Sequence, residues 1–197
     1  VITEADILAG IWDGADIVVS VVNWADLTQG EMIVQTGTIG NVQAAGNGYI
    51  AEMRSLSQAL QNTVGRVITR RCDADLGDSR CGITLASYTV TGSVSAGSSD
   101  WRTFTASDLP ASPGGLLTWT SGLNNGLSMG IRTASAGSIG LDLPMAYAVM
   151  AGDTYTASAG CDKNASTCSG TYSNIINFRG APFIPGPDAV MAYPNAS

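Results

Sequence analysis

The sequence predicts a mainly β protein. A small antiparallel β module is followed by a second β-rich module of sandwich or barrel type, with irregular loops that carry cysteine. Three observations predict it. Short runs rich in Val, Ile, Thr and Tyr recur along the 197 residues, separated by Gly, Asn, Ser and Pro, the punctuation of antiparallel strands. Gly is abundant at 24 residues while charged residues make up only 13%. A polar, turn-rich stretch at residues 67–83 breaks the strand pattern, which divides the chain into 1–66 and 67–197.

The elements follow in order. Thr3, with Asp6 three residues on, forms a helix N-cap signal, and a short helix over Glu4 to Leu8 is expected. Ile17 to Val22 is a β-branched run bounded by Gly14 and Asn23, and reads as a largely buried strand. Glu31 to Asn41 is a second strand, and Tyr49 to Leu56 a third. Ala44 to Gly48, with its Gly-Asn-Gly, is a hairpin turn between them. Ser57 to Gln61 is a helical turn. In the second module Tyr88–Ser95, Arg102–Thr105, Leu116–Thr120, Leu127–Thr133 and Ser138–Leu143 are short strands, a spacing that suggests a sandwich or barrel. From Gly160 onward, dense Gly and Pro indicate an ordered irregular loop.

Composition excludes several functions. Net charge is −7, with eight arginines and one lysine, Lys163, and Arg70-Arg71 is the longest basic run. Nucleic-acid binding needs a concentrated basic face, so no direct nucleic-acid motif is present. No stretch approaches 18 consecutive apolar residues, so no membrane-spanning helix is expected. Low charge admits two readings: a surface covered by other subunits, or a secreted Ser/Thr/Gly-rich β protein. The chain starts at Val1 with no signal-peptide pattern, and we expect residue 1 to lie inside a longer gene product.

The chemistry rests on four cysteines. Cys72 and Cys81 enclose eight residues, Cys161 and Cys168 enclose six, and no histidine is present. The pair spacings are too wide for the zinc knuckle's two to four residues, and local ferredoxin runs are absent. Two disulfides, a cluster held from two distant loops, and free buried thiols all remain open. Without histidine there is no Ser-His or Cys-His dyad, and no carboxylate pair stands out as an acid/base couple; the chain is not read as an enzyme. Asp73, Asp75 and Asp78 fall short of a calcium loop and read as turn-capping carboxylates. Trp12, Trp24, Trp101 and Trp119 are scattered, as core or interface packing would have them.

Taken together, these segments resemble one family. Arg-Arg-Cys72-Asp-Ala-Asp-Leu-Gly-Asp-Ser-Arg-Cys81-Gly is similar to its first signature. Gly160-Cys161-Asp-Lys-Asn-Ala-Ser-Thr-Cys168 with Asn174, Asn177-Phe178-Arg179-Gly180 and Pro185-Gly186 is similar to its second. Ile2 to Asp6 and Trp12-Asp-Gly-Ala15 with Asn23-Trp24 resemble its earlier part. This is the tail hub, or tail-tip, family of long-tailed phages and gene transfer agents. Residues 84–159 match it only loosely.

The resemblance implies a structural virion protein of the tail tip or baseplate, assembled in the bacterial cytoplasm. It implies an iron–sulfur cluster, of the 4Fe–4S type, ligated by Cys72, Cys81, Cys161 and Cys168. It also implies a homotrimer that contacts other tail-tip proteins, namely a distal tail protein and a central fibre or spike protein, and more chain before Val1. Asn177 to Gly180 is expected to lie against the cluster, with Arg71, Arg80, Lys163 and Arg179 supplying positive charge or N–H donors. The alternative is a secreted β-rich binding or adhesin domain held by two disulfides.

Overall fold

The structure, a computed structural model, describes residues 3–45, 48–106, 113–135 and 137–185. The chain divides into two compact units, Val1–Gly65 and Arg66–Ser197.

The first unit opens with helix α1 (Glu4–Leu8). Thr3 and Asp6 form a reciprocal capping box: the Thr3 hydroxyl accepts the Asp6 amide at 3.2 Å and the Asp6 carboxylate accepts the Thr3 amide at 3.0 Å. Each bond occupies a donor that a helix start leaves unpaired. Strands β1 (Asp16–Val22), β2 (Glu31–Ala45) and β3 (Gly48–Arg54) then make an antiparallel sheet in the order β1-β2-β3. Ala45 pairs with Gly48 across the hairpin, and Gly46 and Asn47, in the expected turn, lie outside the described residues. Register shifts at Val19/Ser20 and between Ile39 and Val42 mark bulges, which bend and twist the long β2. The unit ends in helix α2 (Leu56–Leu60).

The expectation that Ile17 to Val22 would be largely buried is corrected by this unit. Val18 is 56% exposed and Val21 55%, and no described residue of the unit is buried. The β-branched run reports pairing and a surface that favours burial. Burial also needs a second layer, and three strands with two one-turn helices do not supply one.

The second unit supplies its own second layer by closing on itself. Strands β4 (Thr89–Gly97), β5 (Thr103–Ala106), β6 (Leu116–Trp119), β7 (Ser128–Ser135), β8 (Ser138–Leu141) and β9 (Thr154–Ser158) form a closed antiparallel barrel in the order β4-β5-β8-β7-β6-β9. Five of these strands overlap those expected; β9 is additional. Residues alternate inward and outward, so Tyr155 and Ala157 of β9 are fully buried between less buried neighbours. Leu117, Ile131, Ile139 and Leu141 fill the interior. Phe104, Trp119 and Tyr155 meet there with ring centroids 5.4 to 6.0 Å apart, tilted or edge-on, the geometry that ring quadrupoles favour.

The pairing of β4 with β9 determines where the cysteines meet. Thr89 at the start of β4 lies opposite Ser158 at the end of β9, and the Ala159 amide donates to the Tyr88 carbonyl at 2.8 Å. The chain entering the barrel and the chain leaving it therefore emerge at one end, and each carries one cysteine pair.

Candidate metal centre

Cys72 and Cys81 lie in a loop organised by one carboxylate. Asp78 accepts the backbone N–H of Asp75 at 3.0 Å, of Arg80 at 2.9 Å and of Cys81 at 2.6 Å. These bonds hold its carboxyl below the usual carboxylate range, the Cys81 amide contributing most. The expected turn-capping role of these aspartates is thus met at Asp78. Asp73 takes a different role: Arg66 grips it with two bonds at 2.6 and 2.8 Å, and Arg80 adds a third at 3.1 Å. Its carboxyl is held low in consequence, first by Arg66.

Cys161 and Cys168 lie on the strand-to-helix connection after β9. Asp162 accepts from the Asn164 amide at 2.9 Å and the Thr167 hydroxyl at 2.9 Å, leading into helix α3 (Ala165–Gly170). The irregular loop expected from Gly160 onward thus contains a helical turn, which buries Cys168. Lys163 has φ +64°, a left-handed backbone uncommon outside Gly. Its amide donates to the Cys161 sulfur at 3.4 Å and its carbonyl accepts the Cys72 amide at 2.9 Å.

The two loops close on each other. All four cysteines are free thiols, and all four line one cavity of ≈ 20 Å³. That is about the room a single water needs, far below the ~300–1,000 Å³ of a small-molecule site. The pair of disulfides needed by the alternative reading is not formed. Burial pushes the Cys168 thiol up, and Cys161, Cys72 and Cys81 push it the same way, as close sulfurs do. Among the described residues, no group of three or more His, Cys, Asp or Glu is placed to hold a single metal ion; the sulfurs surround a space.

N–H donors converge on these sulfurs. Besides the Lys163 amide on Cys161, the Arg179 amide donates to Cys72 at 3.4 Å and the Asn174 side-chain amide to Cys81 at 3.7 Å. The Cys168 thiol donates to the Asn174 carbonyl at 3.3 Å. The segment 177–180 is seated by Gly180, where a Cβ would come within 2.7 Å of the Arg71 backbone. Of the positive charge or N–H donors expected around the sulfurs, the N–H donors are present. Arg179 and Lys163 serve the sulfurs through backbone N–H. The Lys163 ammonium instead bonds the Ala74 carbonyl and Asp75, and the Arg80 guanidinium bonds Asp73. The bonding role of Asn174 was not foreseen; its place four residues short of Phe178-Arg179-Gly180 is the signal that pointed nearby.

The donor set fits an iron–sulfur group: four thiols, no competing nitrogen ligand, and N–H donors aimed at three of the sulfurs. Elsewhere, an open groove of ≈ 500 Å³ in the first unit is lined by residues including Val18, Gly37, Arg54 and Leu56. It brings together no acid/base pair.

Comparison with known proteins agrees with this architecture. Residues 1–84 match the family model described as "Baseplate hub protein, N-terminal attachment domain", and residues 113–188 match "Phage conserved hypothetical protein BR0599". The first match holds Cys72 and Cys81 and the second Cys161 and Cys168, so the cavity needs both. Among solved structures, a chain of the virion of a native gene transfer agent particle is similar over 99% of this chain and 70% of that one, with a TM-score of 0.78 and 33% identity. No curated protein matches. The chain belongs to the baseplate-hub family of phage and gene-transfer-agent tail structural proteins.

Proposed function

We propose that this chain is a structural hub of the tail tip or baseplate of a phage or gene transfer agent, and that Cys72, Cys81, Cys161 and Cys168 hold an iron–sulfur cluster of the 4Fe–4S type. The observation that carries this reading is the convergence of four free thiols, from loops about eighty residues apart, on one cavity with N–H donors around it. When bound, such a cluster supplies cross-linking of the two loops, because metal-binding free energy adds to folding free energy. The chain's own residues do the rest: Asp78 and Asp162 shape the two loops, and Gly180 lets the trailing segment close over Arg71. The role is non-enzymatic. The disulfide-held adhesin reading loses its support, since the thiols are free.

The first unit supports the attachment part of the role. Its sheet leaves Val18, Val21, Met32, Ile33 and Ile50 exposed, apolar side chains that a partner surface would cover. A homotrimeric ring, with contacts to a distal tail protein and a central fibre or spike protein, would cover them, since closed rings satisfy head-to-tail interfaces without open ends. Assembly in the bacterial cytoplasm, where thiols stay reduced, fits four unpaired cysteines.

The test is iron and acid-labile sulfide analysis of anaerobically purified particles that contain this chain. Iron and sulfide in equal amounts, about four each per chain, are expected. Particles that contain the chain but no iron or sulfide would overturn the cluster. A chain that is absent from purified tails and monomeric at high concentration would overturn the hub.

A further inference from the structure

We propose that Asn174 is a positioning residue for the cysteine site, holding Cys81 and Cys168 in register and directing a side-chain N–H at the Cys81 sulfur to set the electronic balance of the bound group. This rests on the reading that the site takes an iron–sulfur cluster.

Among the described residues, three of the four sulfurs receive an N–H. Two receive it from the backbone, at Lys163 and Arg179; Cys81 receives it from a side chain. The orientation of that side chain follows from hydrogen-bond chemistry. The Asn174 amide sits 2.6 Å from the Cys81 carbonyl oxygen, which can only accept, so the NH2 end must face Cys81. Its oxygen then faces Asn177, whose Nδ2 donates to it at 2.8 Å. The Asn177 amide therefore locks the Asn174 amide against a flip. The Asn174 backbone addresses the other loop: its N–H donates to the Cys168 carbonyl at 2.9 Å, a bond that does not depend on the thiol proton a bound group would displace. One residue thus bonds a ligand candidate from each cysteine pair.

The consequence is electronic as well as geometric. Hydrogen bonds to ligand sulfurs stabilise the more negative, reduced state and raise the reduction potential. Asn174 is half-buried, so water competes weakly for the same sulfur. Asn177 touches no sulfur through its side chain in these bonds and acts through Asn174.

The experiment uses the full chain, reconstituted anaerobically with ferrous iron and sulfide. Iron and sulfide content is measured first, then the potential by redox titration. Asn174→Ala is expected to bind iron and to lower the potential. Its reduced-to-oxidised ratio at a fixed poise should fall about tenfold, or about 59 mV for one electron. Asn177→Ala should shift it the same way by less, and Asn174→Gln, which keeps the amide, should recover part of the loss. An iron-loaded Asn174→Ala with the wild-type potential overturns the proposal. If Asn174→Ala loses iron altogether, Asn177→Ala decides: a lowered potential supports the role and an unchanged one overturns it. Wild-type chain that binds neither iron nor sulfide overturns the cluster reading itself, and the proposal falls with it. That outcome is told apart because it appears before any substitution is made.

Discussion

Val18 in the first unit and Ile131 in the second are both β-branched residues on antiparallel strands, yet Val18 is 56% exposed and Ile131 1%. The difference lies in closure. The barrel turns its sheet on itself, so its inward apolar side chains pack on one another and no edge remains. The three-stranded sheet has a free edge on β1 and another on β3, and no layer of its own over either face. The comparison teaches that strand patterning fixes which residues favour burial, and topology decides whether the chain buries them by itself or leaves them for a neighbour.

Substitutions can break this comparison from either side. Trp119→Ala removes a ring packed against Phe104 and Tyr155 in the barrel. It should cost about 3–5 kcal/mol, read as a lowered urea midpoint of the isolated chain. A comparable loss from Ile33→Ser would show that the first unit has a core after all.

Cys161→Ser comes next. It should abolish iron binding and loosen both cysteine loops together, so that amide protection falls over residues 73–80 and 162–167 alike. Hydrogen exchange in which only the second loop loosens would separate the two pairs. Ile33→Ser itself should move the stability of the isolated chain by about 0.5 kcal/mol or less. It should nevertheless impair incorporation into tails, because a polar group would enter a surface that needs covering.

The smallest effect is that of acid. Asp73, Asp78 and Asp162 are all held below their ordinary value of 3.8, by Arg66, by the Cys81 amide and by the Asn164 amide respectively. A carboxylate depressed in the fold contributes stability that is complete above its unfolded value and is lost as pH falls through the folded one. In metal-free protein the cysteine loops should therefore gain amide exchange below pH about 4 while the barrel interior, which is apolar, holds. Simultaneous loosening of Tyr155 and Cys81 would show that the loops and barrel are one cooperative unit.

Much of the fold was legible from local chemistry. Thr3 and Asp6 announced the first helix because a capping box is a short-range device, and the Gly- and Asn-punctuated runs announced five of six barrel strands. Strand β9, Thr-Tyr-Thr-Ala-Ser, was not among the expected strands although Thr and Tyr are strand formers; its inward pair, Tyr155 and Ala157, fits a space shaped by other strands. The burial of Val18 was misread because a run of valines carries no information about the layer above it. At the site, the spacings of Cys72, Cys81, Cys161 and Cys168 alone left disulfides, a cluster and free thiols open. The pairing of Thr89 with Ser158, which brings the two loops to one barrel end, is a long-range fact. The role of Asn174 was hidden for the same reason, since an amide's role depends on which acceptor it meets.

The cross-ties at the mouth of the barrel have a mechanical consequence. The Ala181 amide bonds the Thr69 carbonyl, the Cys72 amide bonds the Lys163 carbonyl, and the Arg70 guanidinium bonds the Ile184 carbonyl, each at 2.8 to 2.9 Å. These ties join the strand of chain that enters the barrel to the one that leaves it. Tension applied along the polypeptide on either side of this unit reaches the clasp before it reaches any strand. The six-stranded wall lies in a bypassed loop and bears no load until the clasp gives way. In a single-molecule pulling trace the clasp should yield as an early, separate event, and the barrel should unfold only after it.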